Sequence, residues 1–180
     1  MCYDDKKGGI QGVKTLLLVG GPMGVGKSTA CAALQKMLPR NVWLDGDWCW
    51  KLEPLVVNAQ TKALAMDNIT YLLNGFLRCS EIDHVLFSWV MDEREILDAL
   101  LSRLTLDGVR AVSVSLVCAP EVLAQRLERD AARGVRSADA VERGLARLPK
   151  YAALDTTLLD TTAMTAEETA ARLAALVRRH

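Results

Sequence analysis

The chain has 180 residues, 51% of them apolar and 24% charged, with a formal net charge of zero. Such a composition excludes a disordered or fibrous chain and offers no basic surface for nucleic acid or an anionic membrane. The length suits a single domain, expected over residues 1–180. The start, Met1 to Gly9, has no apolar core, so a cleaved leader is not expected. The apolar run around Leu16–Val19 is too short to cross a bilayer. The five cysteines (Cys2, Cys31, Cys49, Cys79 and Cys118) contain no Cys-x-x-Cys pair. Reduced thiols in a cytoplasmic chain, a monomer or weak homodimer, are expected instead of disulfides or a zinc site.

In chain order, Val13–Val19 is a short apolar run ending in glycines, the pattern of a buried strand. From Lys27 the spacing of Ala30, Ala33, Leu34, Met37 and Leu38 is helical, and Pro39 stops it. Asn41–Asp45 reads as a second strand. Pro54 to about Arg78 has helical spacing, broken near Asp67, with Leu64, Ile69, Leu72, Leu73 and Phe76 expected on buried faces. His84–Val90 is a third strand, and Glu93–Leu104 a helix. Arg110–Cys118 is a fourth strand, and Pro120 with Glu121 opens a helix running towards Gly134. Ser137–Leu148 is helical again, Thr156–Asp160 a fifth strand, and Ala166–Arg179 a closing amphipathic helix. Alternation throughout predicts an α/β fold with a parallel sheet covered on both faces. Ligands of such sheets sit beyond the carboxyl ends of the strands.

Gly21-Pro22-Met23-Gly24-Val25-Gly26-Lys27-Ser28 fits the phosphate-loop pattern without a mismatch, after a strand and before a helix. The backbone N–H groups of Met23, Gly24, Val25 and Gly26 can curl around phosphate oxygens, and the helix that opens with Lys27, Ser28 and Thr29 points its positive end at them. The Lys27 ammonium reaches the β- and γ-phosphates, and the Ser28 hydroxyl takes a Mg²⁺ position. ATP with Mg²⁺ is the expected cofactor pair, and no Asn-Lys-x-Asp run for guanine is present.

The third strand carries no acid before Asp92, where many such proteins place a metal-binding aspartate. Asp45 and Asp47, either side of Gly46, project to one side of an extended backbone. One can hold a water of the Mg²⁺ shell while the other accepts a proton from an attacking hydroxyl; the competing reading is a solvated turn. Arg126, Arg129 and Arg133 follow at helical spacing, with Arg136 just past Gly134. They are either a basic lid over the transferred group or an exposed, locally paired helix face. Arg133 and Arg136 are favoured over Arg126, because Gly134 offers a hinge.

Phosphate loop, Asp-x-Asp after the second strand and late arginines together resemble the small-molecule kinases of the shikimate kinase and gluconate kinase group. Adenylylsulfate kinases and chloramphenicol phosphotransferases are relatives of that group. The resemblance implies a five-stranded sheet in the order 2-3-1-4-5. It also implies that Asp45 serves Mg²⁺, that Asp47 binds and deprotonates the acceptor, and that residues about 129–138 form the lid, with Arg129 on the nucleotide. Asp160-Thr161-Thr162 falls where relatives touch adenine. Ser88-Trp89 stands where shikimate kinases have a glycine-rich acceptor loop, so shikimate is not the expected acceptor.

The acceptor side is expected between the second strand and the helix after the third, with a helical insertion at about 48–80. From Asn41 to Glu93 the basic residues are Lys51, Lys62 and Arg78, against eight acids. That is no clamp for a phosphate dianion. Trp48, Trp50 and Trp89 lie at or after strand ends, either as stacking surfaces for an acceptor or as core filler; Trp43 is expected in the core. The expected activity is transfer of the γ-phosphate from ATP to a hydroxyl of a small, non-anionic metabolite, nucleoside or antibiotic. The alternative is a nucleotide-binding switch or regulatory ATPase that acts on a protein partner.

Overall fold

A computed structural model describes residues 13–135, 137 and 139–178. The chain start with Cys2, Arg136, and Arg179 at the expected end of the last helix lie outside the described residues. The strands are β1 (Lys14–Gly20), β2 (Asn41–Asp45), β3 (His84–Ser88), β4 (Val109–Val117) and β5 (Thr157–Asp160). The helices are α1 (Lys27–Gln35), α2 (Ala59–Arg78), α3 (Arg94–Leu101), α4 (Pro120–Ala132), α5 (Ala140–Arg147) and α6 (Ala166–Arg178). Short 3-10 helices span Gly46–Trp50 and Leu148–Ala153. All strands pair in parallel, in the order β2-β3-β1-β4-β5, as the resemblance implied.

β1 is central, and Leu16, Leu17, Leu18 and Val19 are fully buried. Alternate side chains feed opposite layers. Leu17 and Val19 pack with Leu34, Leu123, Leu173 and Val177 of α1, α4 and α6. Leu16 and Leu18 pack with Ile69, Leu73, Leu97 and Leu100 of α2 and α3. Each fully buried leucine contributes about 1.5–3 kcal/mol of transfer free energy, so the two layers hold β1 and the loop after it in place.

α2 differs from expectation at its start and in its middle. It begins at Ala59, not Pro54, because Asn58 and Thr61 form a reciprocal capping box. It runs unbroken past Asp67, which is exposed and pairs with Arg103 at 2.9 Å. Its buried stripe is Ala65, Ile69, Leu73 and Leu77, whereas Leu64 and Leu72 face outward. α3 and β3 are shorter than expected, and the segment after α5 tightens into a 3-10 helix. Cys31, Cys49, Cys79 and Cys118 are free thiols. No helix among the described residues is long and apolar enough to cross a membrane.

Candidate active site

A cleft of about 400 Å³ opens at the carboxyl ends of the strands. Its floor is the loop from Met23 to Thr29. Gly24 has φ +79°, and a Cβ there would lie 2.6 Å from Leu127, so this turn requires glycine. Lys27 reaches back from the first turn of α1, and its Nζ donates to the Gly21 and Pro22 carbonyls at 2.8 and 2.9 Å. The ammonium is thus held over its own loop, where phosphate oxygens would offer it charged acceptors.

Ser28, one residue on, donates to Asp45 Oδ2 at 2.7 Å. Asp45 is 8% exposed, and its other oxygen accepts the Asp47 backbone N–H at 3.1 Å, capping the 3-10 helix. Asp47 is exposed, and both carboxylates line the cleft. The register explains how β2 supplies the acid that β3 lacks. Asp45 pairs with Ser88, so a carboxylate one strand over stands beside the place where a third-strand aspartate would end. The Ser88 hydroxyl is buried and accepts a 3.0 Å hydrogen bond from Trp43 Nε1. Behind it the Cys31 thiol is pushed up to about 12, first by burial and then by the Asp45 charge, and is inert at neutral pH. Asp92 is also buried, but it pairs with Arg147 at 3.4 Å and Lys150 at 3.7 Å and does not line the cleft.

Arg126, Arg129 and Arg133 of α4 and its C-cap all line the opposite wall. Arg126, ranked below Arg133 and Arg136 from sequence, is held by tertiary contacts: it donates to the Val25 carbonyl at 3.1 Å and the Thr161 carbonyl at 3.3 Å. A guanidinium that joins the phosphate loop to the end of β5 is anchored by tertiary contacts that helical spacing does not reveal. Gly134 has φ +69° and closes α4, with its N–H on Ala131 and that of Val135 on Asp130. Past Thr161 the wall continues through Met164 and Thr165 at the start of α6. Asp160 there is held below the usual carboxylate range by the Thr162 hydroxyl and backbone N–H.

On the acceptor side the tryptophans form two pairs. Trp50 meets Trp89 edge-on with centroids 6.3 Å apart, and Trp89 lines the cleft. Trp48, 59% exposed, packs on Trp43 at 5.0 Å. Trp43 is half-buried at the rim of the core, not enclosed as expected, on a strand that pairs with β3 alone among the described residues, and its indole N–H is satisfied by the Ser88 hydroxyl. Trp89 lies on Gly46, between the two aspartates: a Cβ on Gly46 would be 2.5 Å from the indole. Besides Lys51, Lys62 and Arg78 within the stretch Asn41–Glu93, two basic groups arrive from further along the chain. Arg147 and Lys150 reach the loop after β3, where Lys150 meets Glu93 at 2.8 Å and holds that carboxyl below its usual range. Both cations are already matched by Asp92 and Glu93.

The oxygen pair of Ser28 and Asp45 at the mouth of a phosphate loop is the hard donor set that suits Mg²⁺. A family model described as an AAA domain matches residues 17–145. No curated protein matches the chain in sequence. Among solved structures, the chain is similar to the tunicamycin resistance protein of Deinococcus radiodurans, with 20% identity, TM-score 0.66, and 93% of this chain and 97% of that one covered. A gluconokinase from Sinorhizobium meliloti shows 20% identity, TM-score 0.62 and coverage of 91% and 94%. A shikimate kinase from Acinetobacter baumannii in complex with shikimate shows 21% identity, TM-score 0.61 and coverage of 93% and 94%. At these identities the likeness speaks for the fold, and it falls in the group that the motifs resemble.

Proposed function

Since the chain belongs to the phosphate-loop AAA-domain family, we propose that it is an ATP- and Mg²⁺-dependent phosphotransferase acting on a hydroxyl of a small, non-anionic molecule. The observation that carries this reading is the Ser28–Asp45 contact at 2.7 Å, with Asp47 two residues further out in the same cleft. A regulatory nucleotide site needs the first of these; a second carboxylate facing open space beside an aromatic wall is what an acceptor hydroxyl needs.

In this reading Ser28 and Asp45 hold Mg²⁺, which neutralises phosphate charge when bound. Lys27 leaves the Gly21 and Pro22 carbonyls for the β- and γ-phosphates. Asp47 orients the acceptor hydroxyl and takes its proton. Arg126 steadies the base end, while Arg129 and Arg133 close over the transferred group. Arg136 is proposed to act with them. Trp89, backed by Trp50, gives the acceptor a flat apolar face, with Trp48 at the outer edge. The match of Arg147 and Lys150 with acids supports a neutral or cationic acceptor.

The test is a panel of nucleosides, sugars and antibiotics incubated with ATP and Mg²⁺, read by mass spectrometry for the gain of one phosphate. A phosphorylated product that disappears in Asp47→Asn supports the reading. ATP hydrolysis indifferent to every small molecule, yet changed by a protein partner, would overturn it in favour of a nucleotide switch.

A further inference from the structure

Two glycines far apart in the chain open onto the same leucine. Leu127 of α4 is fully buried. A Cβ on Gly24 of the phosphate loop would lie 2.6 Å from Leu127 Cδ2 and 2.8 Å from its Cγ. A Cβ on Gly144 of α5 would lie 2.5 Å from Leu127 Cδ1. Carbon atoms do not tolerate such distances, so each glycine lets one methyl of the fork rest on bare backbone. Leu123, one turn earlier, repeats the arrangement more loosely, at 3.5 Å from the Gly24 position and 3.8 Å from that of Gly144. The two methyls of Leu127 branch from one tetrahedral carbon and occupy staggered positions only. In a close-packed interior neither can give way without moving the other.

The same helix has further ties to the cleft. Arg126 donates to the Val25 carbonyl at 3.1 Å, so consecutive residues of α4 hold consecutive residues of the loop, one by a hydrogen bond and one by packing. Arg129 and the C-cap Arg133 line the cleft from this helix. α5 approaches the loop too, since a Cβ on Gly144 would come 3.7 Å from Met23. Phosphate loop, α4 and α5 therefore meet at one side chain.

We propose that Leu127 is a positioning residue for nucleotide binding, its forked end spacing Gly24 from Gly144 and so setting the phosphate loop against the helix that carries Arg126, Arg129 and Arg133. The inference rests on the nucleotide-binding reading of the cleft. Leu127 touches no phosphate; it acts through the backbone of Gly24.

The test is a double-mutant cycle of Gly144→Ala and Leu127→Val, read by calorimetric titration of ATP–Mg²⁺ well below each Tm. Gly144→Ala places a methyl where Leu127 Cδ1 stands and drives the fork towards Gly24, whereas Leu127→Val shortens the fork and loosens the loop. Each alone should weaken affinity about three- to tenfold, the scale of coupling between residues in contact. In the pair the added methyl takes the space given up, and affinity should return to within about twofold of the parent. Leu100→Ala, in the core layer on the other side of the sheet, is the control: it should lower Tm and leave affinity unchanged.

Unchanged affinity in either single variant overturns the proposal, as do additive losses in the pair. A comparable loss in Leu100→Ala also overturns it, since destabilisation alone would then explain the effect. Should Gly144→Ala not fold by itself, Leu127→Val and the pair decide: a loss that the pair recovers supports the proposal, and a loss that persists, or a pair that fails to fold, overturns it. If the unaltered chain binds no ATP–Mg²⁺, the reading of the cleft falls and this inference with it; if it binds and the cycle is additive, only the inference falls.

Discussion

Ser28 donates its hydroxyl hydrogen to Asp45 across the cleft at 2.7 Å, so the first turn of α1 and the end of β2 meet where a phosphate-bound cation would lie. Each group is the other's partner until a metal competes for both. Asp45→Asn should therefore weaken ATP binding in the presence of Mg²⁺ by about tenfold or more, while binding of metal-free ATP changes little. Titrations with Mg²⁺ and with EDTA measure both. Equal losses under the two conditions would contradict a metal role for Asp45.

Lys27 is held by two loop carbonyls, and its ammonium is not part of the core. Lys27→Ala should leave Tm within a few degrees of the unaltered chain and remove most ATP affinity, on the order of a hundredfold. Differential scanning fluorimetry and calorimetry check the two halves separately. Retained affinity would sink the phosphate-loop assignment.

Gly46 separates the two aspartates and carries the Trp89 indole against its backbone. Gly46→Ala should destabilise the chain by about 1–3 kcal/mol through overpacking and displace Trp89. Urea unfolding gives the first, and the tryptophan emission spectrum of the folded variant follows the second. A variant as stable as the parent would mean that the aromatic wall gives way without strain.

His84 at the start of β3 has a buried Nδ1 without a hydrogen-bond partner. Burial lowers its pKa, Arg110 and Arg178 lower it further, and Asp83 acts in the opposite sense. The unfolded chain then binds a proton near pH 6.5 that the folded chain refuses. The His84 contribution to stability is present above that pH and is lost as pH falls through the lower folded value. Denaturant unfolding at pH 7.5 and 5.5 should show a smaller acid loss in His84→Gln than in the parent. Identical losses would rule out His84 as a source of the pH dependence.

The sheet and the phosphate loop were legible because their signals are local: Leu16–Val19 must be buried on both faces, and Gly21 to Ser28 is contiguous. The Asp45–Asp47 pair was expected from strand alternation; the structure keeps both in the cleft, but β2 ends at Asp45 and a 3-10 helix capped by its carboxylate carries Asp47. The grip of Arg126 was not, since its acceptors, Val25 and Thr161, lie a hundred residues before it and a strand beyond it. Arg147 and Lys150 escaped for the same reason, arriving on Asp92 and Glu93 from after α5. The outward turn of Leu64 and Leu72 shows the remaining weakness. A helix rich in apolar residues offers several stripes, and only packing against Leu16 and Leu18 selects the one through Ile69 and Leu73.

Among the described residues, β2 has a strand neighbour on one side only. The 3-10 helix and the segment up to Asn58 therefore hang from the rim of the sheet, fastened by one ladder and by contacts such as Asn68 to the Cys49 carbonyl. The machinery that grips phosphate belongs to the central strand and its flanking helices, far better braced. Exchange of residues 48–57 for another sequence of equal length would disturb a single border strand and leave the phosphate loop standing. Under the proposed function the grip on phosphate sits on the central strand, while the acceptor-facing Asp47, Trp48 and Trp50 sit in the 3-10 helix at the rim, so acceptor preference can change there without loosening the phosphate loop.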